Sequence, residues 1–120
     1  MNKIFSLHIY PLKKGIRADD FHRIVLEYLE REFAGFPGLL EWTLLNGIKG
    51  EHEGKYGILW VYSSRTSWER IWGPVDHPKT REDYPSQWKS WETFLSTLLD
   101  REPDKILFTT FEQVDNRILS

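Results

Sequence analysis

Hydrophobic and polar positions alternate along four segments of this chain and recur at three- and four-residue steps along two others. Alternation with a period of two predicts β-strands. These strands cover residues 4–12, 39–46, 56–62 and 106–114. Apolar stripes predict helices over residues 18–34 and 85–99. The order strand, helix, strand, strand, helix, strand predicts an α+β sandwich whose antiparallel sheet carries helices on one face.

A further short helix is predicted just after the third strand, around Trp68 and Trp72. Thr66 is favoured as its N-cap, because Glu69 lies three residues later and completes a capping box. Ser67 is the alternative cap, but the residue three positions after it is an arginine, which cannot accept a hydrogen bond. The sequence therefore predicts that this helix begins close to Thr66.

The two faces of the predicted sheet differ in chemistry. In the first strand, Phe5, Leu7 and Ile9 share one wholly apolar face, which we expect to lie under the helices. The opposite face mixes polar and aromatic side chains. Its members are Ile4, Ser6, His8 and Tyr10 of the first strand and Tyr56, Ile58, Trp60 and Tyr62 of the third. We expect this mixed face to point away from the helices, and an open aromatic face is where a functional site is sought.

Composition narrows the class of protein. A chain of 120 residues with 15% aromatic residues, six of them tryptophan, is expected to fold as a single domain over residues 1–120. A surplus of tryptophan and tyrosine often marks an interface or a pocket for a flat ligand. The net charge of −2, with no basic patch, argues against nucleic acid as a partner.

The absence of cysteine, of a membrane span and of metal or nucleotide motifs narrows the class of protein further. The chain has no cysteine, which excludes disulfides, thiolate chemistry and cysteine-ligated metals and is compatible with the cytosol. No run approaches the ~20 apolar residues of a membrane span, and no signal peptide is evident. We therefore expect a cytoplasmic protein that does not enter membranes. The histidines show no metal-ligand spacing, and nucleotide-binding and hydrolase motifs are absent, so no metal or cofactor is predicted.

Three stretches carry a resemblance to a known family. They are Gly-Leu-Leu-Glu-Trp at 38–42, Gly-Ile-Leu-Trp-Val-Tyr at 57–62 and the strand-to-helix join Trp-Val-Tyr-Ser-Ser-Arg-Thr-Ser-Trp-Glu-Arg-Ile-Trp at 60–72. Together with the order of elements, they resemble the dimeric α/β-barrel superfamily, whose best-known members are the antibiotic-biosynthesis-type monooxygenases. The resemblance implies a ferredoxin-like β-α-β-β-α-β fold and a homodimer in which two sheets pair face to face. The open face, with Tyr10, Tyr56, Trp60 and Tyr62, would then form the barrel interior and the dimer interface.

Candidate site residues follow from the mixed face. His8 and Tyr10 are predicted as acid–base groups in a pocket, and the alternative for His8 is a hydrogen-bonded interior histidine. The aromatic side chains are predicted to stack on a planar ligand, with dimer packing as the alternative. They are Tyr56, Trp60, Tyr62 and, on the second strand, Trp42.

Three further candidates lie after the third strand. Trp68 and Trp72 are four residues apart on one helix face, where core packing is the favoured interpretation. The resembled monooxygenases place a tryptophan of this region at their pocket, which keeps both as ligand-binding candidates. His77 lies in a polar loop beside Asp76 and is a candidate catalytic or lid residue, with simple exposure as the alternative.

Three functions remain open from the sequence. The first is a cofactor-independent oxidoreductase, monooxygenase-like or isomerase-like, that acts on a flat and largely apolar small molecule. The second is a non-catalytic small-molecule-binding or stress-response barrel. The third, heme binding, is a minor alternative. The heme-degrading members of the superfamily carry an asparagine on the first strand, where this chain has Ser6 and His8.

Overall fold

The computed structural model describes residues 2–114, which form one four-stranded sheet with three helices on one of its faces. The strands are β1 (Ile4–Tyr10), β2 (Leu39–Asn46), β3 (Tyr56–Tyr62) and β4 (Leu107–Glu112). The helices are α1 (Ala18–Glu32), α2 (Arg65–Trp72) and α3 (Ser86–Leu95). The strand order is β2-β3-β1-β4, and every neighbouring pair is antiparallel. The predicted α+β ferredoxin-like fold is confirmed.

Helix α2 begins two residues earlier than an N-cap at Thr66 predicts. Its N-cap is Ser64, whose Oγ accepts a hydrogen bond from the Ser67 N–H at 3.1 Å. The prediction that Thr66 caps this helix is therefore wrong. Ser64 has the extended backbone conformation of an N-cap and is 3% exposed, whereas Thr66 already lies inside the first turn and is exposed.

The helices cover the mixed face of the sheet, which was predicted to be open. Residues of β1 at even positions face the helices: Ser6 lies opposite Trp60 of β3, and His8 lies opposite Ile58. Trp60 is fully buried at 0% exposure in the core formed with the helices. The expectation that Phe5, Leu7 and Ile9 lie under the helices is wrong, and so is the placement of the mixed face in the open.

Side-chain volume explains the reversal. The space between sheet and helices is filled by large rings: Trp60 lies 5.5 Å from Phe33 of the α1 end, 5.2 Å from Trp88 and 5.8 Å from Trp91 between ring centroids. Trp60 thus meets helices on two sides. Alternation fixes which residues share a face but does not say which face the helices cover.

The second face of the sheet is apolar and remains partly exposed. Phe5 and Phe111 are paired across β1 and β4, and Leu7 and Leu59 are paired across β1 and β3. Phe111 is 56% exposed, and Phe5, Leu7 and Leu59 are half-buried. The interface predicted through Tyr10, Tyr56, Trp60 and Tyr62 therefore cannot form in this fold, and any sheet-to-sheet contact would instead use this second, apolar face. Within residues 2–114, no helix has the length and apolar character needed to cross a bilayer.

Candidate functional site

A cavity of about 530 Å³ lies between the helix-covered face of the sheet and helices α2 and α3. Strands β1 and β4 supply its floor, because even-numbered positions of both strands face this way. The segment that follows α2 supplies part of the wall through Pro74, Val75 and Pro78. A volume of this size is typical of a small-molecule site.

A chain of polar side chains crosses the floor of the cavity. The Tyr10 hydroxyl lies 3.5 Å from His8 Nδ1, His8 Nε2 lies 3.1 Å from Ser6 Oγ, and Ser6 Oγ lies 2.9 Å from Thr110 Oγ1. All four residues line the cavity. The strand register produces this chain, because Ser6 and Thr110 are paired directly across β1 and β4 and His8 follows Ser6 on the same face.

The imidazole of His8 is held neutral. Burial lowers the pKa of His8 from 6.5 to about 4. Aromatic rings surround it, with the centroids of Trp88 and Phe108 both 5.9 Å away and that of Trp60 6.1 Å away. At neutral pH the ring therefore carries one N–H and one free lone pair, so that it can either donate or accept along the chain.

The tyrosines at the cavity remain protonated phenols. Burial raises the pKa of Tyr10 and of Tyr62 well above the ordinary value of 10.0. The buried Nε1 atoms of Trp60 and Trp91 have no partner within hydrogen-bond geometry among residues 2–114. Both indole N–H groups are nevertheless close enough to the Tyr10 hydroxyl to offset part of the rise in its pKa. Tyr10 thus serves as a neutral hydrogen-bonding partner of His8.

The walls of the cavity are aromatic. Trp72 of α2 meets Trp88 of α3 and Tyr84 edge to face, with centroid distances of 4.8 and 4.9 Å. Trp68 lies one helical turn before Trp72 and lines the same cavity. These interlocking rings form a rigid apolar surface that suits a flat ligand.

Charged side chains lie at the edges of the cavity. The carboxylate of Glu92, whose side chain is 8% exposed, accepts a hydrogen bond from Arg81 Nε at 3.0 Å. Arg65 also lines the cavity and donates to Glu69 at 3.0 Å and to Glu112 at 3.4 Å. Each arginine is therefore already engaged with a carboxylate.

The geometry of the fold agrees with solved structures of other proteins. A candidate antibiotic biosynthesis monooxygenase from Caulobacter crescentus is 15% identical, with 95% of this chain and 92% of that chain covered and a TM-score of 0.61. A dimeric ferredoxin-like protein of unknown function from Thermobifida fusca is 10% identical, with 93% and 92% covered and a TM-score of 0.61. SnoaB, a cofactor-independent oxygenase from Streptomyces nogalater, was solved as a variant that is 13% identical, with 96% and 94% covered and a TM-score of 0.54.

The chain has the ferredoxin-like fold of these proteins. The resemblance read from the sequence is thus confirmed at the level of the fold. No protein-family model and no curated protein matches the sequence.

The structure brings five of the predicted site residues to one cavity. They are His8, Tyr10, Tyr62, Trp68 and Trp72. They meet there because the helices cover the mixed face, whereas the sequence analysis expected an open sheet. Their side chains are accordingly shared between the core and the cavity.

The other four predicted residues do not line the cavity. Trp60 is buried behind His8, and Trp42 lies opposite Trp60 on β2. Tyr56 packs edge to face on His22, with a centroid distance of 4.9 Å. His77 is exposed, although Val75 and Pro78, which lie close to it in the chain, help to form the wall.

Several cavity residues were not among the predicted site residues. Ser6 and Thr110 are far apart in sequence and become neighbours only through the pairing of β1 with β4. Trp88 and Glu92 are four residues apart on α3 and share one face. A glutamate within the apolar stripe of a helix was the one signal in the sequence that pointed to Glu92. Among residues 2–114, no three histidine, aspartate or glutamate side chains converge as a metal site would require.

Proposed function

We propose that this protein binds a flat, largely apolar small molecule in its aromatic cavity and acts on it as a cofactor-independent, monooxygenase-like enzyme. The observation that carries the proposal is the polar chain from Tyr10 to Thr110 on the floor of an otherwise aromatic cavity. The shared fold with a cofactor-independent oxygenase supports it. Water exclusion and ring stacking would hold the ligand, and the polar chain would handle its protons.

The proposed chemistry begins with removal of a proton from the ligand. Neutral His8 is the acceptor, either directly or through the hydroxyls of Ser6 and Thr110, each of which can donate and accept. A pKa of about 4 makes His8 a weak base toward water. The negative charge that develops on a ligand beside it would favour the imidazolium in this dry site, which restores the driving force.

Anthrone is a suitable probe for turnover. It is flat, neutral and apolar, and loss of a proton from its methylene carbon gives a carbanion that reacts with dioxygen. One anthrone and one dioxygen then give one anthraquinone and one water, so the protein supplies no electrons. Oxygen uptake and anthraquinone formation measure the reaction.

Substitution separates His8 from a histidine outside the cavity. We expect His8→Gln to lower anthrone turnover by roughly 10²-fold or more. His77→Gln, at an exposed position outside the cavity, should keep most of the activity. Circular dichroism controls for folding. Full activity in folded His8→Gln would contradict the acid–base role.

Binding without turnover is the second candidate function, and the low basicity of His8 favours it. Quenching of tryptophan fluorescence by anthrone tests binding alone. Trp72→Phe alters the cavity wall, whereas Trp42→Phe alters a half-buried tryptophan outside it. We expect the first substitution to weaken binding and the second to leave it unchanged. Binding with no oxygen uptake would support the binding-barrel function.

We also propose that the protein is a homodimer that pairs through the partly exposed apolar face of the sheet. Phe5, Leu7, Leu59 and Phe111 lie on this face, and a solved structure with the same fold is dimeric. Burial of these side chains against a second copy would remove apolar surface from water.

A further inference from the structure

The cavity contains one buried carboxylate whose role is not explained by folding alone. Glu92 follows Trp88 by one helical turn on α3, so both side chains face the cavity. One carboxylate oxygen, Oε1, accepts from Arg81 Nε at 3.0 Å. Within residues 2–114, Arg81 is the one side chain that donates to Glu92. Oε2 is not among the buried atoms that lack a partner, so it remains accessible from the cavity. Because a carboxylate oxygen can accept two hydrogen bonds, Oε2 is an acceptor available to a ligand.

The charges around the cavity also favour a ligand that donates a hydrogen bond or carries a positive charge. Its lining includes three carboxylates, those of Glu92, Asp104 and Glu112, against one guanidinium, that of Arg65. Arg65 is already shared between two glutamates. Desolvation raises the pKa of Tyr84, and the negative charges of Glu92 and Asp104 raise it further, which places both carboxylates beside this ring.

The aromatic rings act in the same direction as the carboxylates. The faces of Trp72, Tyr84 and Trp88 carry partial negative charge, and the three rings meet edge to face at 4.8 to 4.9 Å near Glu92. The faces of such rings attract cations. His8 adds no positive charge, because its imidazole is neutral at neutral pH.

We propose that Glu92 is the specificity-determining residue of the cavity: its Oε2 binds a hydrogen-bond donor carried by a flat aromatic ligand, best a protonated amine, and it excludes ligands that carry a carboxylate there. This inference rests on the proposed function, since it presupposes that the cavity binds a small molecule. At Glu92 the ligand donates a hydrogen bond, whereas at Ser6 and Thr110 it meets hydroxyl groups that can donate or accept.

Three probes that differ in one group test the order of affinity. 2-Naphthylmethylamine carries an ammonium group at neutral pH, 2-naphthalenemethanol a hydroxyl and 2-naphthoate a carboxylate, all on the same ring. A hydrogen bond between two charged groups is stronger than one between neutral groups. By isothermal titration we expect the amine to bind at least about tenfold more tightly than the alcohol, and the carboxylate most weakly of the three.

Substitutions test whether Glu92 is responsible for this order of affinities. Glu92→Gln should bring the ratio of amine to carboxylate affinity close to one, because the neutral amide loses the charge and gains a donor. Arg81→Gln should raise the ratio by removing the neutralising partner. Glu82→Gln is the matched control, since Glu82 is exposed on the same 3-10 turn as Arg81 and does not line the cavity. It should leave the ratio unchanged.

A second substitution covers the case in which Glu92→Gln does not fold. Asp104 is exposed at the same end of the cavity, and Asp104→Asn should lower the ratio in the same direction by a smaller factor. Equal affinity for amine and carboxylate in the natural protein, or a ratio unaffected by both substitutions, would overturn the inference and leave the proposed function standing. Failure of all three probes to bind would contradict the proposed function and the inference with it.

Discussion

At the scale of single residues, the state of His8 decides what the cavity can do. The pKa of His8 is lowered from 6.5 to about 4, so the folded protein holds the ring neutral while the unfolded chain protonates it near 6.5. Between these two values unfolding takes up a proton, and stability falls as the pH falls. The full stability is present above about pH 6.5, and the loss is complete below about pH 4.

This coupling predicts a pH dependence that His8→Gln removes. Over the window from pH 6.5 to 4, the natural protein should lose up to about 3 kcal/mol more unfolding free energy than the variant. The loss will be smaller to the extent that the half-buried ring reaches solvent through the cavity. Urea unfolding at several pH values measures it. His77→Gln is the control, and a parallel pH profile for natural protein and His8→Gln would contradict a neutral His8.

The sequence predicts those site residues that share one face of a strand. It does not predict those that join the site through strand pairing or helix packing. Alternation placed His8, Tyr10 and Tyr62 on one face, and this grouping is correct. It could not tell which face the helices cover, because both faces carry large apolar side chains. Thr110 joined the site only through strand pairing, and Glu92 only through the packing of α3 over the sheet. Neither relation has a local signal in the sequence.

At the scale of elements, a serine cluster fixes where α2 begins. Ser64 Oγ accepts from the Ser67 N–H at 3.1 Å, and the hydroxyl of Ser63 donates to Ser67 Oγ at 2.9 Å. The predicted capping box at Thr66 is satisfied differently, since Glu69 forms an ion pair with Arg65 at 3.0 Å. The observed cap, Ser64, is neither of the two predicted candidates, Thr66 and Ser67, because the backbone conformation that selects the cap has no local signal in a run of serine and threonine residues.

The observed cap predicts unequal effects of two similar substitutions. Ser64→Ala should lower the unfolding free energy by about 1 kcal/mol, because it leaves the Ser67 N–H without its acceptor. Thr66→Ala should change it by less than about 0.5 kcal/mol, since Thr66 is exposed within the helix. Thermal or urea unfolding of the two variants measures the difference. Equal losses would show that Ser64 is not the cap.

Gly73 joins α2 to the wall of the cavity. Its φ of +84° favours glycine, and an added Cβ would lie 2.7 Å from Lys79 N and 2.9 Å from the His77 carbonyl oxygen. Gly50 has a similar φ of +97° but has no atom within 4 Å of such a Cβ. The two positions thus separate backbone strain from steric conflict.

We expect Gly50→Ala to cost about 1 kcal/mol from strain alone and Gly73→Ala at least about 2 kcal/mol. Gly73→Ala should also weaken binding of 2-naphthalenemethanol, because the displaced segment carries Val75 and Pro78 of the cavity wall. Urea unfolding and isothermal titration give the two readouts. Unchanged binding in a destabilised Gly73→Ala would separate this segment from the site.

At the scale of the whole molecule, order along the chain predicted topology well. Three strands show why: β2 and β3 match their predicted ranges at both ends, and β1 starts where the alternation starts. The helices cover only one face of this sheet, but the sequence places large apolar side chains on both faces. The apolar face that the alternation pattern predicted to lie under the helices is therefore the partly exposed face of the sheet.

The partly exposed apolar face of the sheet is expected to form a dimer interface. A second copy pairing through it should bury on the order of 2,000 Å² in total and give a dimer at micromolar concentration. Leu59 lies near its centre, paired with Leu7 on one side and Thr43 on the other, so Leu59→Lys should place a charge in the interface and give a monomer. Leu26→Lys is the matched control, because Leu26 is 39% exposed on α1, on the helical side of the molecule. Light scattering reads the mass and probe binding reads the cavity. A natural protein that is already monomeric, or a Leu59→Lys variant that stays dimeric, would contradict the assignment of this face.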